Sequence, residues 1–465
     1  MNSPNSTKPP RSTNLGLLHL NLLIAAILIS TIVLIYWASG PKSRTVDGRT
    51  EISYWTGWGG RELESLRKLI DEYNRSQDHT FVRWTYVAND YNKMRIAFAG
   101  GDTPDVCSTV WADDVADYAE RNAIVPLDPY LAASTRSLDE YSTPVQELYR
   151  YNNHTYALST GVGSFFIMYN KQAFREAGLD PERPPATLAE FDLYAEKLTK
   201  YRNDNPRDGI QVLGFAYIGQ IMSWASVWGV DFWDPNTRTV LVDTPRMVEF
   251  LEWLKTNVDK YGYRSQRGFL SSLGNTVSPN NPFLTGQLTM IVVGEWYKKI
   301  IEMYAPPGFE WGYFAFPAPP GGRANATILN ASMFTIPTAS RHKQEAWDFI
   351  AWITAPAQTI RFRVGPLPGD MAAASAVQSD PGYDTPYWRF VKDLVNSPNA
   401  RGIKLPLFNK FMYLMNQVEE RVLSGEATPQ QALTHMRTTF QSSVAEVFRD
   451  PPPTTTTSGS QGVTP

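Results

Sequence analysis

Apolar and polar positions alternate over residues 51–55 and again over 80–87, which predicts two half-buried strands. Between them Leu63, Leu66, Ile70 and Tyr73 recur at helical spacing, with Glu62 and Glu64 in the first turn, where the helix dipole favours acids. Residues 100–114 read G-G-D-T-P-D-V-C-S-T-V-W-A-D-D: turn chemistry, then a short apolar strand, then Trp111, Asp113 and Asp114 at its carboxyl end. The same order repeats downstream. Residues 90–99 and 138–149 are predicted helices, 165–169 a strand, and Thr187 with Glu190 a capping box for a helix carrying Leu188, Phe191, Ala195 and Leu198. Thr244-Pro245 opens another helix, 288–293 is a strand, and Thr428-Pro429 opens the last helix. Strands that alternate with helices in this way predict an α/β fold.

In open α/β sheets ligands gather at the carboxyl ends of the strands, and several groups fall there. Trp111 offers a flat apolar face beside the acceptors Asp113 and Asp114, a combination suited to a polyhydroxylated ring. The turn Thr56-Gly57-Trp58-Gly59-Gly60 leaves backbone amides free at a helix start and places Trp58 beside them. Asp90 stands at another strand-to-helix edge, residues 218–233 are rich in aromatics including Trp224 and Trp228, and Gly294-Glu295-Trp296 closes a strand. The plainer alternatives are core tryptophans, solvated acids and glycines that serve only a tight turn.

The flanks of these groups carry a resemblance. After Trp111 come D-Y-A-E-R-N-A-I-V-P-L at 117–127 and D-P-Y-L at 128–131; Tyr169-Asn170-Lys171 is followed by Phe174 and Ala177-Gly178-Leu179; Phe283-Leu284-Thr285-Gly286 precedes Gly294-Glu295-Trp296. This ordered set resembles the family 1 extracellular solute-binding proteins of ABC importers, of which the maltose-binding type is the best known. The resemblance implies a two-lobed, periplasmic-binding-protein-like (type II) α/β fold with a hinge and an interlobe cleft. Lobe 1 would comprise residues 50–160 and 312–352, and lobe 2 residues 163–305 and 355–448. The family's cleft residues fall on Trp111, Asp114, Trp224 and Trp296. Two positions depart from the maltose-type pattern: Gly163 replaces an acid ahead of the Y-N-K strand and Met412 replaces a tryptophan, so maltose itself is in doubt. Glu295 is an acid that pattern lacks, available as a replacement acceptor or as a partner of Lys298 or Lys299. The ligand-binding set expected on these grounds is Trp58, Asp90, Trp111, Asp113, Asp114, Trp224, Trp228, Glu295 and Trp296.

Composition narrows the function. Among 465 residues, 43 Lys and Arg face 46 acids for a net charge of −3, so nothing favours a nucleic-acid partner. The single cysteine, Cys107, excludes a disulfide framework and sits in an apolar strand as an inert thiol. No two of the five histidines have metal-ligand spacing, no phosphate loop or nucleophile motif occurs, and neither a cofactor nor a metal is expected. The ends add location. Residues 1–14 are polar, 15–38 are largely apolar and close to bilayer-spanning length, which predicts a transmembrane anchor or a signal segment, and 451–465, rich in Pro, Thr, Ser and Gly, are expected to be disordered. The expectation is a monomeric, extracytoplasmic receptor that binds a carbohydrate or related polar solute, is tethered to the membrane by an uncleaved N-terminal hydrophobic helix, and delivers its load to an ABC permease. A membrane-anchored solute sensor and a glycoside-active enzyme, with Asp114 facing Glu295 across the cleft, are the alternatives.

Overall fold

The computed structural model describes residues 23–28, 30–31, 44–87, 91–363 and 371–448. Its framework is two sheets with helices packed against them. In the first, Arg49–Thr56 lies parallel to Thr80–Tyr86 on one side and to Val106–Trp111 on the other, and Ser332–Thr335 adds antiparallel to Val106–Trp111. The 17-residue helix Gly60–Ser76 buries the predicted Leu66, Ile70 and Tyr73. Behind the sheet, Tyr54 stacks on Phe334 with ring centroids 5.9 Å apart, and Phe349 meets Tyr54 edge-on.

The second sheet is built around Gly161–Asn170, a ten-residue strand flanked on one side by Leu288–Gly294 and then Ile210–Phe215. On its other side Trp311–Phe314 and Thr327–Asn330 both pair with it antiparallel. The helices Pro245–Tyr261, Phe408–Leu423 and Pro429–Val447 pack together behind this sheet. Thr244 and Thr428 cap two of them as predicted. Thr187 also accepts from the Glu190 amide, but the Glu190 carboxylate accepts from the Ala186 amide and Arg183, leaving a single cap in place of the predicted box.

Two crossings differ from expectation. The resemblance implies a return to the first lobe from residue 312, yet Trp311–Phe314 runs along the second sheet, with Gly312 opposite Tyr169. A Cβ on Gly312 would lie 2.3 Å from the Tyr169 ring, so the missing side chain lets this strand close on its neighbour. The chain crosses instead between Asn330, still paired with Gly163, and Ser332, already paired with Trp111. The helix Pro356–Arg363, expected with the second lobe, packs on Gly60–Ser76 and ties to it through Arg361 and Glu72 at 2.6 Å.

Residues 15–38 lie mostly outside the described residues; 23–28 and 30–31 are helical. Among the described residues no helix is long and apolar enough to cross a membrane. The tail 451–465 also lies outside them.

Candidate functional site

The two crossing strands bring the sheets edge to edge, and a cavity of about 150 Å³ opens where they meet. From the first sheet come Trp58 and Trp111. Trp111 ends the strand whose preceding residues are buried, so its indole is left half-buried at the sheet edge. Trp58 rides the turn after the first strand, edge-on to Phe334 at 5.7 Å, with its amide held by the Thr56 hydroxyl at 3.2 Å. The glycine before the helix leaves space for the Tyr86 hydroxyl, from which a Cβ on Gly59 would stand 3.0 Å.

From the second sheet come Phe165, Glu295 and Trp296. Trp296 folds back over the end of its strand, because Gly294 has no side chain; a Cβ there would sit 2.4 Å from the indole nitrogen. Glu295 is 1 % exposed, and its Oε2 accepts from the Ser164 amide at 2.8 Å. Its carboxylate lies 3.4 Å and 3.8 Å, by its two oxygens, from where a Cβ on Gly163 would be. An acid therefore occupies the space beside position 163 after all, reaching it from the next strand. Neither lysine offered as its partner takes that role: Lys298 pairs with Glu302, and Lys299 reaches Glu62 at 3.7 Å. The Tyr387 hydroxyl donates to the Glu295 carbonyl at 2.6 Å and fixes the backbone behind the site.

The crossing residues complete the lining. Ser164 is fully buried and its hydroxyl has no hydrogen-bond partner among the described residues. Asn330 spends its Oδ1 on the next amide, and the Ser332 hydroxyl donates to the Ser108 carbonyl. Phe165, Asn330 and Ser332 were not singled out from sequence. The signal available was the Asn330-Ala331-Ser332 tripeptide in a strand-to-strand crossing.

Four of the nine predicted residues, Trp58, Trp111, Glu295 and Trp296, line this one cavity. Asp113 and Asp114 stand one step beyond it, in the turn Ala112–Asp114. Burial pushes the Asp113 carboxyl up to about 8, with Asp114 adding to the effect, and its Oδ1 has no partner among the described residues. Burial raises the Asp114 pKa, against the opposing effects of Arg95 at 3.7 Å and of Asn409 from the opposite lobe. Trp224 and Trp228 do not reach the cavity. Trp224 is fully buried among Trp253, Phe316 and Phe191 at 4.8, 5.0 and 5.2 Å, and Trp228 stacks behind it on the same Trp253 at 6.0 Å. These indoles are the packing core of the second lobe, because the helix Ile221–Val227 turns this face inward. Asp90 lies outside the described residues.

Larger depressions exist elsewhere, of about 830 Å³ between the 255–265 and 417–426 segments and about 1280 Å³ between 142–153, 226–236 and 396–405. Neither contains a predicted binding residue, and neither gathers indoles from both sheets. Cys107 is buried, its thiol pushed up to about 11 by desolvation. Among the described residues no group of His, Cys, Asp and Glu is placed to hold a metal.

The family model for bacterial extracellular solute-binding proteins matches residues 59–360. The sn-glycerol-3-phosphate-binding periplasmic protein UgpB of Pectobacterium atrosepticum is 24 % identical over 419 residues, covering 83 % of this chain and 89 % of that protein. Its counterpart in Escherichia coli is also 24 % identical, over 411 residues, covering 83 % and 90 %. Among solved structures, CpMnBP1 with mannotriose bound superposes with a TM-score of 0.71 at 26 % identity, covering 83 % of this chain and 99 % of that one. The sugar-binding protein MalE of Xanthomonas citri superposes with a TM-score of 0.69 at 20 % identity, covering 86 % and 98 %, and shares the two-lobed fold. With a match across most of the chain, and two lobes meeting on an indole-lined cavity, the protein belongs to the bacterial extracellular solute-binding proteins.

Proposed function

We propose that this chain is the extracytoplasmic receptor of an ABC importer for a sugar or closely related polyhydroxylated solute. The observation that carries the reading is the convergence of Trp58 and Trp111 from one lobe with Trp296 and Phe165 from the other on a single cavity that also holds a carboxylate. Aromatic faces stack on the C–H faces of a sugar ring, while acceptors and hydroxyls take its rim. Contacts that exist only when both walls are present give the ligand a differential affinity for the closed form, which is what drives closure. Relatives named for glycerol phosphate and for mannotriose support a hydroxyl-rich solute as the class. The working set is Trp58, Trp111, Glu295 and Trp296, with Ser164, Asn330 and Ser332 added; Asp113 and Asp114 are assigned to the wall behind it.

Lobe 1 is assigned residues 49–160 and 332–363, and lobe 2 residues 161–330 and 371–448, following sheet membership and the packing of the helix Pro356–Arg363 on Gly60–Ser76. The apolar segment 15–38 is assigned the role of an uncleaved tether, and the functional unit is a monomer facing a permease.

Tryptophan fluorescence of the full chain against monosaccharides, oligosaccharides, polyols and glycerol 3-phosphate tests the reading. Saturable binding without product is expected, and Trp296→Ala should abolish it. Silence across the panel from folded protein overturns the sugar assignment, and product release favours the glycoside-active alternative. Recovery of the full-length chain in membranes, with residues 15–38 intact by mass spectrometry, checks the tether; a shortened soluble form refutes it.

A further inference from the structure

We infer that the site accepts a solute of one sugar ring, and that Glu62 and Lys299 set this limit by capping the cavity at its Trp58–Trp296 end. The inference rests on the sugar-receptor reading above and narrows it.

Size is the first argument. Pockets for drug-sized ligands run about 300–1,000 Å³, and this cavity, at about 150 Å³, falls well below that range. A volume of this order matches one six-membered ring with its hydroxyls, and a second ring joined to it would have to project from the opening. The lining says the same: Trp58, Trp111 and Trp296 come from three separate chain segments onto one small volume. They do not extend along a groove as successive platforms would.

The cap is the second argument. The helix Gly60–Ser76 begins directly after Trp58, and the helix Tyr297–Tyr304 directly after Trp296. Each indole is thus followed within one turn by a charged residue on its helix, and the two charges, Glu62 and Lys299, meet at 3.7 Å across the gap between the lobes. Their side chains are 40 % and 29 % exposed. A pair so open to solvent contributes little to stability, so its consequence is steric. A second ring leaving the cavity at this end would hold the two helices apart and forfeit the closed form.

The test compares full-length wild type with the Glu62→Ala/Lys299→Ala double variant by calorimetry. The probes are D-glucose, D-mannose and D-galactose and the disaccharides maltose and mannobiose. Wild type should bind one of the monosaccharides at least about tenfold more tightly than any disaccharide, and the double variant should gain about tenfold for the disaccharide of that sugar while its monosaccharide affinity moves less than about threefold. The charge-exchanged variant Glu62→Lys/Lys299→Glu should keep the wild-type preference. Equal or tighter disaccharide binding by wild type overturns the one-ring limit, and an unchanged preference in the double variant overturns the role of the cap. Folded wild type that binds none of the five sugars overturns the one-ring sugar assignment, whereas silence across the wider panel of sugars, polyols and glycerol 3-phosphate refutes the receptor reading itself, a distinct result.

Discussion

At the level of single residues, the tryptophans divide by what precedes them. Trp111 ends a buried strand and Trp296 comes just after one, each leading into a turn, so their rings are left at a sheet edge, and that placement is legible in the order of strand and turn residues. Trp224 and Trp228 were not distinguishable from them in sequence, because an aromatic-rich stretch serves a core and a binding wall equally well; only the inward face of their helix decides. Gly294 is the residue on which the Trp296 orientation depends. Gly294→Ala would force the indole out of its place, so sugar binding should be lost while overpacking costs about 1–3 kcal/mol of stability. Calorimetry paired with thermal unfolding separates the two effects, and unchanged binding would refute the dependence. Asp113 gives a pH signature. Half-buried, with a desolvated carboxyl, it keeps its proton to about pH 8, whereas the unfolded chain releases that proton in the ordinary carboxyl range. Across that window the folded form binds the extra proton, so stability falls as pH rises and levels off above about 8. Asp113→Asn should therefore stabilise the protein by about 1–3 kcal/mol at pH 8 and have little effect at pH 4. A gain of equal size at both values would show that the carboxyl does not titrate as described.

At the level of elements, helix and strand positions followed from apolar spacing, but the pairing of Trp311–Phe314 did not. Its membership of the second sheet depends on Gly312 making room for the Tyr169 ring, a contact between residues far apart in the chain. The capping residues were local and so were readable; the Glu190 carboxylate went elsewhere because Arg183 and the Ala186 amide compete for it. The core and the site can be separated by substitution. Trp224→Ala should cost about 3–5 kcal/mol of stability as a fully buried aromatic, while Trp296→Ala should leave stability within about 1 kcal/mol and remove binding; equal destabilisation by both would argue against the division. A second contact between the lobes lies on the hairpin formed by Trp233–Asp234 and Thr239–Val240. Arg238 holds a left-handed backbone, φ 51°, with its carbonyl accepting from Gln441, and its guanidinium lies 3.5 Å from Glu120 of the first lobe. Arg238→Glu should weaken ligand binding by about threefold to tenfold, and Glu120→Arg on the same chain should restore part of it. Failure of the double exchange to recover any affinity would remove this pair from the closed form.

At the level of the whole molecule, the family and the two-lobed plan were recoverable from ordered motifs, since each motif is a strand end with its following turn. The lobe boundaries were less so, because they are set by which strand a segment pairs with and not by its own pattern. Contacts between the halves include Glu62 to Lys299, Glu120 to Arg238, Glu147 to Lys404 at 2.8 Å, the Asp117 carboxylate to the Leu407 amide at 3.1 Å and the Glu140 carbonyl to the Ser375 amide at 2.8 Å. The crossing at Ala331 has a further consequence for how the chain is made. The edge of Val106–Trp111 receives its last neighbour only from Ser332–Thr335, more than two hundred positions later. While it is being synthesised, the leading part of the polypeptide has an open sheet edge and an incomplete core, so it can be threaded through a narrow export pore before it locks. Chains halted on the ribosome short of residue 332 should be cleaved rapidly by added protease, and chains extended beyond the final helix should resist; early protection of the leading half would contradict this timing.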